Sequence, residues 1–262
     1  MTLALTSPDE LAAVLGPASR YLVVADYDGT LAPIVDRPDD AQPAPGAHEA
    51  LQELAHHTRV AVVSGRPITE LQGFLPDLPI TLAGGHGAEI LDPEGGHHAL
   101  IDVSDVVTVL DAAQHAVEDI LADGTGWFVE RKRTSLAVHH RLVPEDEEES
   151  LLPRVLAILD LHRETDPPFE VLTGKAVVEL RPAGVDKGTA LAWLLDRTPD
   201  LVPLVVGDDR TDEDAFTAAI EADGIAVLVS EDARPTAATW RLADPSDVVA
   251  LLRLLTAAAG GC

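Results

Sequence analysis

Short, wholly apolar runs alternate with longer amphipathic stretches over most of the chain. Each run has the length of a strand, and its continuous apolar character indicates burial on both faces. The predicted strands are Tyr21–Ala25, Val60–Val63, Ile80–Ala83, Leu204–Val206 and Ile225–Val229. The predicted helices, which have helical spacing and start signals, are Gly46–His57, Pro67–Leu75, Lys187–Asp196, Asp212–Glu221 and Ser246–Leu255. This alternation indicates an α/β fold, a Rossmann-like core with a parallel sheet.

The middle of the chain has a different pattern, because its strands alternate polar and apolar residues. Such alternation indicates an antiparallel sheet with one exposed face. The elements predicted there are the helices Asp105–Ala122 and Glu148–Arg163 and the strands Trp127–Arg133, Ser135–Leu142 and Lys175–Arg181. We therefore expect a smaller α+β domain at residues 103–182, inserted between two parts of the core at residues 1–102 and 183–262.

Composition supports a folded protein and restricts its partners. The chain has 262 residues, of which 46% are hydrophobic, enough for a core in one large or two modest domains. Its 18 Lys and Arg against 45 Asp and Glu give a formal charge of −27, and the sequence has no basic patch. We therefore expect no binding to nucleic acid or to a membrane surface. The acidic run Glu145–Glu149 is interpreted as a solvated helix start.

The sequence also carries information on the compartment. Cys262 is the only cysteine, so no disulfide can form within the chain. No apolar stretch approaches the roughly 18 residues of a membrane span, and the N-terminal residues have neither a basic region nor an apolar run of signal length. We expect a cytoplasmic monomer.

Two carboxylates follow the first predicted strand. Its apolar residues lead directly into Asp26 and Asp28, and the carboxyl ends of parallel strands are where such sheets bind ligands. A simple Asp-Gly turn would account for Asp28 and Gly29. It leaves Asp26 unexplained, because this carboxylate stands where a buried strand should still be apolar.

Two further segments could hold an anion. The second strand ends in Ser64, Gly65 and Arg66 at a helix start, where backbone N–H groups and the serine hydroxyl suit a phosphate; a routine helix cap is the alternative. Asp186 is a plausible cap for a later helix, and Lys187 lies in its first turn. A cation there opposes the helix dipole unless an anion sits nearby, although a surface lysine without a role is also possible.

A dense acidic run follows the fourth predicted strand. Residues 208–214 contain five carboxylates, of which helix capping by Thr211 and Asp212 explains only part. A hard divalent cation such as Mg²⁺ needs several oxygen ligands. Parallel strands would gather their end residues around one crevice. These are the parts that phosphoryl transfer requires: a nucleophilic carboxylate, a second one to exchange protons, and cationic or hydroxyl groups for the phosphoryl oxygens. The gathered residues are Asp26, Asp28, Ser64, Lys187, Asp208 and Asp212.

The segments DYDGT, SGR, DKG and GDDRTDED, in this order, resemble the haloacid-dehalogenase superfamily of phosphatases along the whole chain. Four further segments resemble the trehalose-6-phosphate phosphatase family more narrowly. They are Gly85–Glu89, Val129–Lys132, His139–Arg141 and Gly174–Pro182. The family often has Tyr where this chain has His140. By alternation we expect His140 to point away from its neighbours and to affect packing of the inserted domain.

The resemblance implies a role for each matching residue. Asp26 would be the nucleophile and Asp28 the general acid and base. Mg²⁺ would be bound by Asp26, the Asp28 backbone carbonyl and Asp208, with Asp212 at the metal or just outside its ligands. Ser64, Gly65 and Lys187 would hold the phosphoryl group. The inserted domain would be a cap that closes over the core. The residues implied at the sugar are Arg66, His86, Gly87, Glu130, Lys132, Arg141, Lys175 and Glu179.

The favoured hypothesis is therefore a Mg²⁺-dependent phosphatase that acts on trehalose 6-phosphate, a small-molecule sugar phosphate. A phosphatase for another sugar or pseudo-disaccharide phosphate is the nearest alternative. A catalytically silent, phosphate-sensing domain of the same fold is a third possibility, although such domains usually lose the nucleophile or a metal ligand. A phospho-receiver domain would leave the insert of roughly 80 residues unexplained.

Overall fold

A computed structural model describes residues 3–35, 37, 40–101, 103–166, 168–174 and 176–260, without the side chains of Val103 and Asp105. The chain divides into two compact units. The core unit comprises residues 1–98 and 186–262, and the inserted unit comprises residues 99–185. Cys262, on which the disulfide argument rests, lies outside the described residues.

The larger sheet has eight strands in the order β12-β11-β10-β1-β2-β3-β4-β5. The strands are β1 Tyr21–Ala25, β2 Val60–Val63, β3 Thr81–Gly84, β4 Glu89–Leu91, β5 His97–Ala99, β10 Val202–Gly207, β11 Ile225–Val229 and β12 Trp240–Leu242. From β12 to β3 every described pairing is parallel, whereas β4 runs antiparallel to β3. The expected α/β architecture is confirmed.

β1 is the strand on which the site depends, because it lies between β2 and β10. All five of its residues are buried, as the continuous apolar pattern predicts. Ala25 pairs with Val62 on one side and Val206 on the other, so three strands end at nearly the same level. The ladder continues one residue further, since the Asp26 N–H donates to the Val206 carbonyl at 2.9 Å.

The described residues of the core unit form six α-helices. They are α1 Pro8–Leu15, α2 Ala47–Ala55, α3 Ile68–Phe74, α6 Lys187–Leu195, α7 Glu213–Glu221 and α8 Pro245–Gly260. Asp186 caps α6, as predicted, because its side chain accepts the Thr189 N–H at 2.8 Å. Helix α1 is not among the predicted elements. Its start has a capping box in which Ser7 accepts the Glu10 N–H and Glu10 accepts the Ser7 N–H.

The inserted unit is a four-stranded antiparallel sheet with two helices. Its sheet order is β6-β7-β9-β8, and its elements are α4 Val103–Leu121, β6 Phe128–Arg131, β7 Leu136–His139, α5 Glu145–Asp160, β8 Phe169–Gly174 and β9 Val177–Pro182. One sheet face packs with the helices in a separate hydrophobic core that includes Leu110, Val138, Leu159 and Leu180. Strand β8 was not predicted, because its sequence FEVLTG does not alternate: the apolar residues Val171 and Leu172 are adjacent, and the strand ends in Thr173 and Gly174.

The acidic run begins α5 at Glu145, which confirms the interpretation as a helix start, and two of its members also bind residues outside the helix. Glu147 accepts hydrogen bonds from the Thr125 N–H at 2.7 Å and the Trp127 Nε1–H at 2.9 Å. Glu148 pairs with His140 Nδ1 at 2.9 Å. These carboxylates therefore fix the turn before β6 and the end of β7 on α5. Within the described ranges, no helix is both long and apolar enough to cross a membrane.

Leu51 tests the packing of the core unit, because its side chain is fully buried between α2 and the sheet. We expect Leu51→Ala to lower the free energy of unfolding by about 2–5 kcal/mol, as it removes buried methyl groups and leaves a cavity. Urea denaturation measures the change. Leu5→Ala is the matched control, since Leu5 is 51% exposed and its truncation should cost less than about 0.5 kcal/mol. Equal losses in the two variants would contradict the assigned core.

Candidate active site

A buried charge cluster lies where β1 and β10 end. Lys187, in the first turn of α6, is 4% exposed and places its Nζ 2.7 Å from Asp26 Oδ1 and 2.6 Å from Asp212 Oδ1. Burial favours a neutral lysine, but the charges of Asp212 and Asp26 together outweigh burial and raise its pKa. Lys187 is therefore a charged ammonium held between two carboxylates, which excludes the alternative of a surface lysine.

Asp212 organises the loop that follows β10. Its Oδ2 accepts hydrogen bonds from the N–H groups of Asp208 and Asp209, each at 2.9 Å, while its Oδ1 accepts one from the Lys187 ammonium. The prediction that Asp212 caps a helix is confirmed for the short 3-10 helix Arg210–Asp212, whose capping box it closes by accepting the Asp209 N–H. Helix α7 itself, whose cap position Asp212 occupies, has no side-chain capping hydrogen bond. Thr211 does not supply one either. The carboxylate folds back towards the strand end, where the loop's own N–H groups need an acceptor.

Asp26, Asp208 and Asp212 form a group of carboxylates that could hold a metal ion. One oxygen from each lies within 4.8 Å of the other two. Asp208 approaches the loop after β1 so closely that a Cβ at Gly29 would overlap its carboxylate, and Gly29 has φ +76°, a conformation that favours glycine. The Asp28 carboxylate is not in this group, and the metal-binding role that the resemblance implies for Asp28 falls to its backbone carbonyl.

The electrostatics of this group fit a cation. Burial raises the pKa of Asp26 to about 7, with a further contribution from Asp212 and opposition from Lys187. Burial also raises the pKa of Asp208 to about 9, and the negative charges of Asp26 and Asp212 add to the shift. The raised pKa values show that Lys187, as a single ammonium, does not compensate three ionised carboxylates at this degree of burial. A hard divalent cation with oxygen ligands would supply the missing charge.

The Asp28 carboxylate binds Arg66 instead. Arg66 Nε and Nη2 donate to its two oxygens at 2.7 and 2.8 Å, and Nη1 donates to Glu70 at 3.0 Å. The guanidinium is 10% exposed and lies 5.6 Å from the ring centre of Tyr27 and 5.1 Å from that of Phe74. This bidentate pair fixes the direction of the Asp28 carboxylate.

Ser64, Gly65 and His86 lie together at the end of β2. Ser64 is buried, and its hydroxyl accepts the Arg66 N–H at 3.2 Å. It does not cap α3, whose cap position is Pro67, so the routine-cap alternative is wrong. A Cβ at Gly65 would lie 2.7 Å from His86 Cε1, and a Cβ at Gly87 would lie 2.7 Å from the Cβ of Ala190 in α6. The loop that carries His86 and Gly87 therefore packs against both the end of β2 and the first residues of α6.

In the inserted unit, one sheet face carries a polar cluster. Glu130, Ala137 and Glu179 are direct partners across β6, β7 and β9, so the two glutamates flank a small side chain on one face. Lys132 Nζ lies 3.9 Å from a carboxylate oxygen of each glutamate. Ser135 donates to Glu179 at 2.6 Å. We call this surface the Glu130 face. The alternation of β6 and β9 indicates its glutamates, whereas Ser135 carries no sequence signal.

The other predicted residues of the inserted unit differ in position. His139 lies on the Glu130 face, with Nε2 3.0 Å from Glu130 Oε2. His140 Nδ1 lies 2.9 Å from Glu148 of α5, a contact within the inserted unit, in line with the expected packing role. Arg141 is exposed and follows the end of β7, which is shorter than predicted. Lys175 lies outside the described residues.

The sheet order and the carboxylates at its edge define a class of protein. A haloacid dehalogenase-like hydrolase from Bacteroides thetaiotaomicron has the same fold, with a TM-score of 0.64, 18% identity and coverage of 89% of this chain and 98% of that chain. The C-terminal domain of trehalose-6-phosphate phosphatase from C. albicans covers 97% of this chain and 98% of its own, with a TM-score of 0.80 and 24% identity. The fold is that of the haloacid-dehalogenase-like hydrolases, with an inserted α+β unit.

The chain belongs to the trehalose-phosphatase family, whose sequence model matches residues 24–246. A trehalose-phosphate phosphatase from Mycobacterium marinum is 39% identical over 254 residues, which cover 92% of this chain. The match spans 64% of the length of that relative. The resemblance inferred from the motifs is thereby confirmed.

Lys187 tests the charge balance of the cluster. We expect Lys187→Met to lower the free energy of unfolding by about 3–5 kcal/mol at neutral pH, because Asp26 and Asp212 lose the buried cation that compensates them. Arg59→Met is the control, since Arg59 is 61% exposed and its ion pair with Glu94 at 3.7 Å should be worth less than about 1 kcal/mol. Urea denaturation of both variants makes the comparison, and a Lys187→Met protein as stable as Arg59→Met would refute the charge balance.

Proposed function

We propose that this protein is a Mg²⁺-dependent phosphatase that hydrolyses trehalose 6-phosphate to trehalose and phosphate through an aspartyl-phosphate intermediate. The single observation that carries the proposal is the position of Asp26, buried at the end of β1 against Lys187 and within the three-carboxylate group. Family membership supports the substrate, since the Mycobacterium marinum relative bears the name trehalose-phosphate phosphatase.

The covalent step is assigned to Asp26. One of its oxygens attacks phosphorus, the bond from phosphorus to the sugar oxygen breaks, and Asp28 gives the leaving oxygen a proton. Water then attacks the phosphorus of the aspartyl phosphate, Asp28 takes its proton, and the bond to Asp26 breaks to release phosphate. Both oxygens of Asp28 accept from Arg66, so one of these hydrogen bonds has to open before Asp28 reaches the leaving group.

Mg²⁺ would be held by Asp26, the Asp28 backbone carbonyl and Asp208. Bound there, it would neutralise charge on the carboxylates and on the phosphoryl group. Asp212 is assigned a place beside the metal ligands, because its oxygens already serve Lys187 and two backbone N–H groups.

The phosphoryl oxygens are assigned to Ser64, the Gly65 N–H and Lys187. Lys187 can serve in this way because its ammonium has a third proton beyond those directed at Asp26 and Asp212. His86 and Gly87, whose loop packs against the end of β2 and the first residues of α6, are proposed to contact the substrate near this group, together with Arg66 once it releases Asp28.

Selectivity is assigned to the inserted domain. We propose that this domain, residues 103–182, acts as a cap over the core. On the Glu130 face, Glu130 and Glu179 can accept hydrogen bonds from sugar hydroxyls, and Lys132 can donate them. Ala137 leaves space between the two glutamates. Arg141 and Lys175 keep the substrate role that the resemblance implies. The protein is proposed to act as a monomer in the cytoplasm.

Phosphate release tests the reaction. We expect Mg²⁺-dependent release from trehalose 6-phosphate, in preference to glucose 6-phosphate, sucrose 6-phosphate and an aryl phosphate, and its loss in EDTA. Asp26→Asn should lower kcat at least about a thousandfold, because an amide is not a nucleophile here. Asp200→Asn, at an exposed position, is the control. Preference for another sugar phosphate would be consistent with the proposed mechanism but would contradict trehalose 6-phosphate as the substrate. Inactivity on all four would favour a silent phosphate-sensing domain.

Glu179→Gln tests the assignment of selectivity. We expect kcat/KM for trehalose 6-phosphate to fall at least about tenfold, since a charged acceptor for hydroxyls is lost, while turnover of an aryl phosphate stays within about twofold. Glu170→Gln is the matched control, because Glu170 also lies on this sheet but pairs with Arg181 at 2.7 Å. Equal losses on both substrates would place the effect in the fold of the inserted unit.

A further inference from the structure

The loop after β10 is held from two sides by different residues. Asp212 accepts the N–H groups of Asp208 and Asp209. Arg234, from the segment that follows β11, takes the carbonyl side: its Nη2 donates to the Asp208 carbonyl at 3.2 Å and to the Asp209 carbonyl at 2.8 Å. Both polar groups of each residue's backbone are thus bound, which fixes the orientation of the peptide planes from which the Asp208 side chain projects.

Arg234 is itself held by Glu213, the residue after Asp212. Arg234 Nη1 forms an ion pair with Glu213 Oε1, and the guanidinium is 25% exposed. The other oxygen of Glu213 accepts the Ala237 N–H at 2.8 Å and the Thr236 hydroxyl at 3.2 Å. Glu213 therefore connects the start of α7 with the segment that carries Arg234. We call Arg234 and Glu213 together the Arg234 clasp.

The carboxylates of the acidic run at residues 208–214 make different contacts. Glu213 has both oxygens engaged by the 234–237 segment, so this carboxylate is committed to loop structure. Asp212 binds the N–H side of the loop and Lys187. Asp208 is the member of the run that joins Asp26 and Asp212 in the three-carboxylate group. Its position relative to Asp26 then depends on how firmly the loop backbone is fixed.

We propose that Arg234 is a positioning residue, held by Glu213, that fixes the carbonyl side of the loop so that the Asp208 carboxylate stays in place to bind Mg²⁺. The inference rests on the proposed metal site. Arginine suits this task because its planar fork presents several donors in a fixed geometry, so one side chain can bind two carbonyls and a carboxylate at once. A lysine offers a single ammonium and would hold only part of this arrangement.

Isothermal titration of the EDTA-treated protein with Mg²⁺ tests the proposal without use of substrate. We expect Arg234→Met to raise the Kd for Mg²⁺ at least about tenfold, as is typical when a residue that orients a metal ligand is lost. Arg234→Lys should give an intermediate Kd. At saturating Mg²⁺, kcat of Arg234→Met should stay within about threefold of wild type, because the metal restores the position of Asp208 when it binds.

Arg181→Met is the matched control. Arg181 is also a largely buried arginine paired with a glutamate, Glu170 at 2.7 Å, but it lies on β9 of the inserted unit, which carries none of the proposed metal ligands. We expect it to lower thermal stability and to leave the Kd for Mg²⁺ unchanged. Glu213→Gln provides a milder second variant if Arg234→Met fails to fold, and it should shift the Kd in the same direction.

The outcomes separate this inference from the proposed function. Mg²⁺ binding by the wild type with an unchanged Kd in folded Arg234→Met or Glu213→Gln would overturn the role of the clasp and leave the phosphatase proposal standing. An equal shift in Arg181→Met would also overturn it, because the effect would then follow from general destabilisation. A wild-type protein that binds no Mg²⁺ would overturn both. A raised Kd in the clasp variants alone would support the inference.

Discussion

The buried ammonium of Lys187 is the constraint on which the site depends. Asp26 and Asp212 are carboxylates at very low exposure, and burial of a carboxylate is costly unless a partner lies within hydrogen-bond distance, which the Lys187 ammonium does for both. Lys187 reaches them because Asp186 begins α6 at the edge of the sheet and turns the first helical residue towards β1. A cation at a helix start is locally unfavourable, and here the carboxylates outweigh the helix dipole.

The parallel sheet turns this local pairing into a site. β1 and β10 are neighbours, and Asp26 and Asp208 directly follow their paired ends. The loops beyond those ends then decide what each carboxylate does: Asp28 turns to Arg66, Asp212 turns to the backbone, and Asp208 remains beside Asp26. Similar residues thus acquire different chemistry from the backbone that carries them, which is why a count of carboxylates does not by itself define a metal site.

The sequence predicted the parts of the fold that a simple pattern specifies. The continuous apolar runs of β1, β2, β10 and β11 indicated a buried parallel sheet, and those strands are present. Strands β4, β5 and β12, of three residues each, escaped prediction because such short segments show no periodicity. Helix α1 could have been found from its S-x-x-E capping box at Ser7 and Glu10. For the candidate site, the closeness of Asp26 and Asp208 could be predicted because each follows the carboxyl end of a parallel strand. The pairing of Arg66 with Asp28 and the reach of Arg234 depend on loop conformation, which no periodic pattern encodes.

The separation of β1 from β10 along the chain has a consequence for biosynthesis. β10 pairs with β1 in register, yet the ribosome adds it about 180 residues later. Until then β1 has an open edge on the β10 side, and Asp26 lacks its lysine partner until Lys187 is added, about 160 residues after it. The inserted unit, whose hydrophobic core is its own, emerges during this interval. An incomplete chain therefore exposes a strongly apolar strand edge, a surface prone to association, and relies on late-arriving residues to close it.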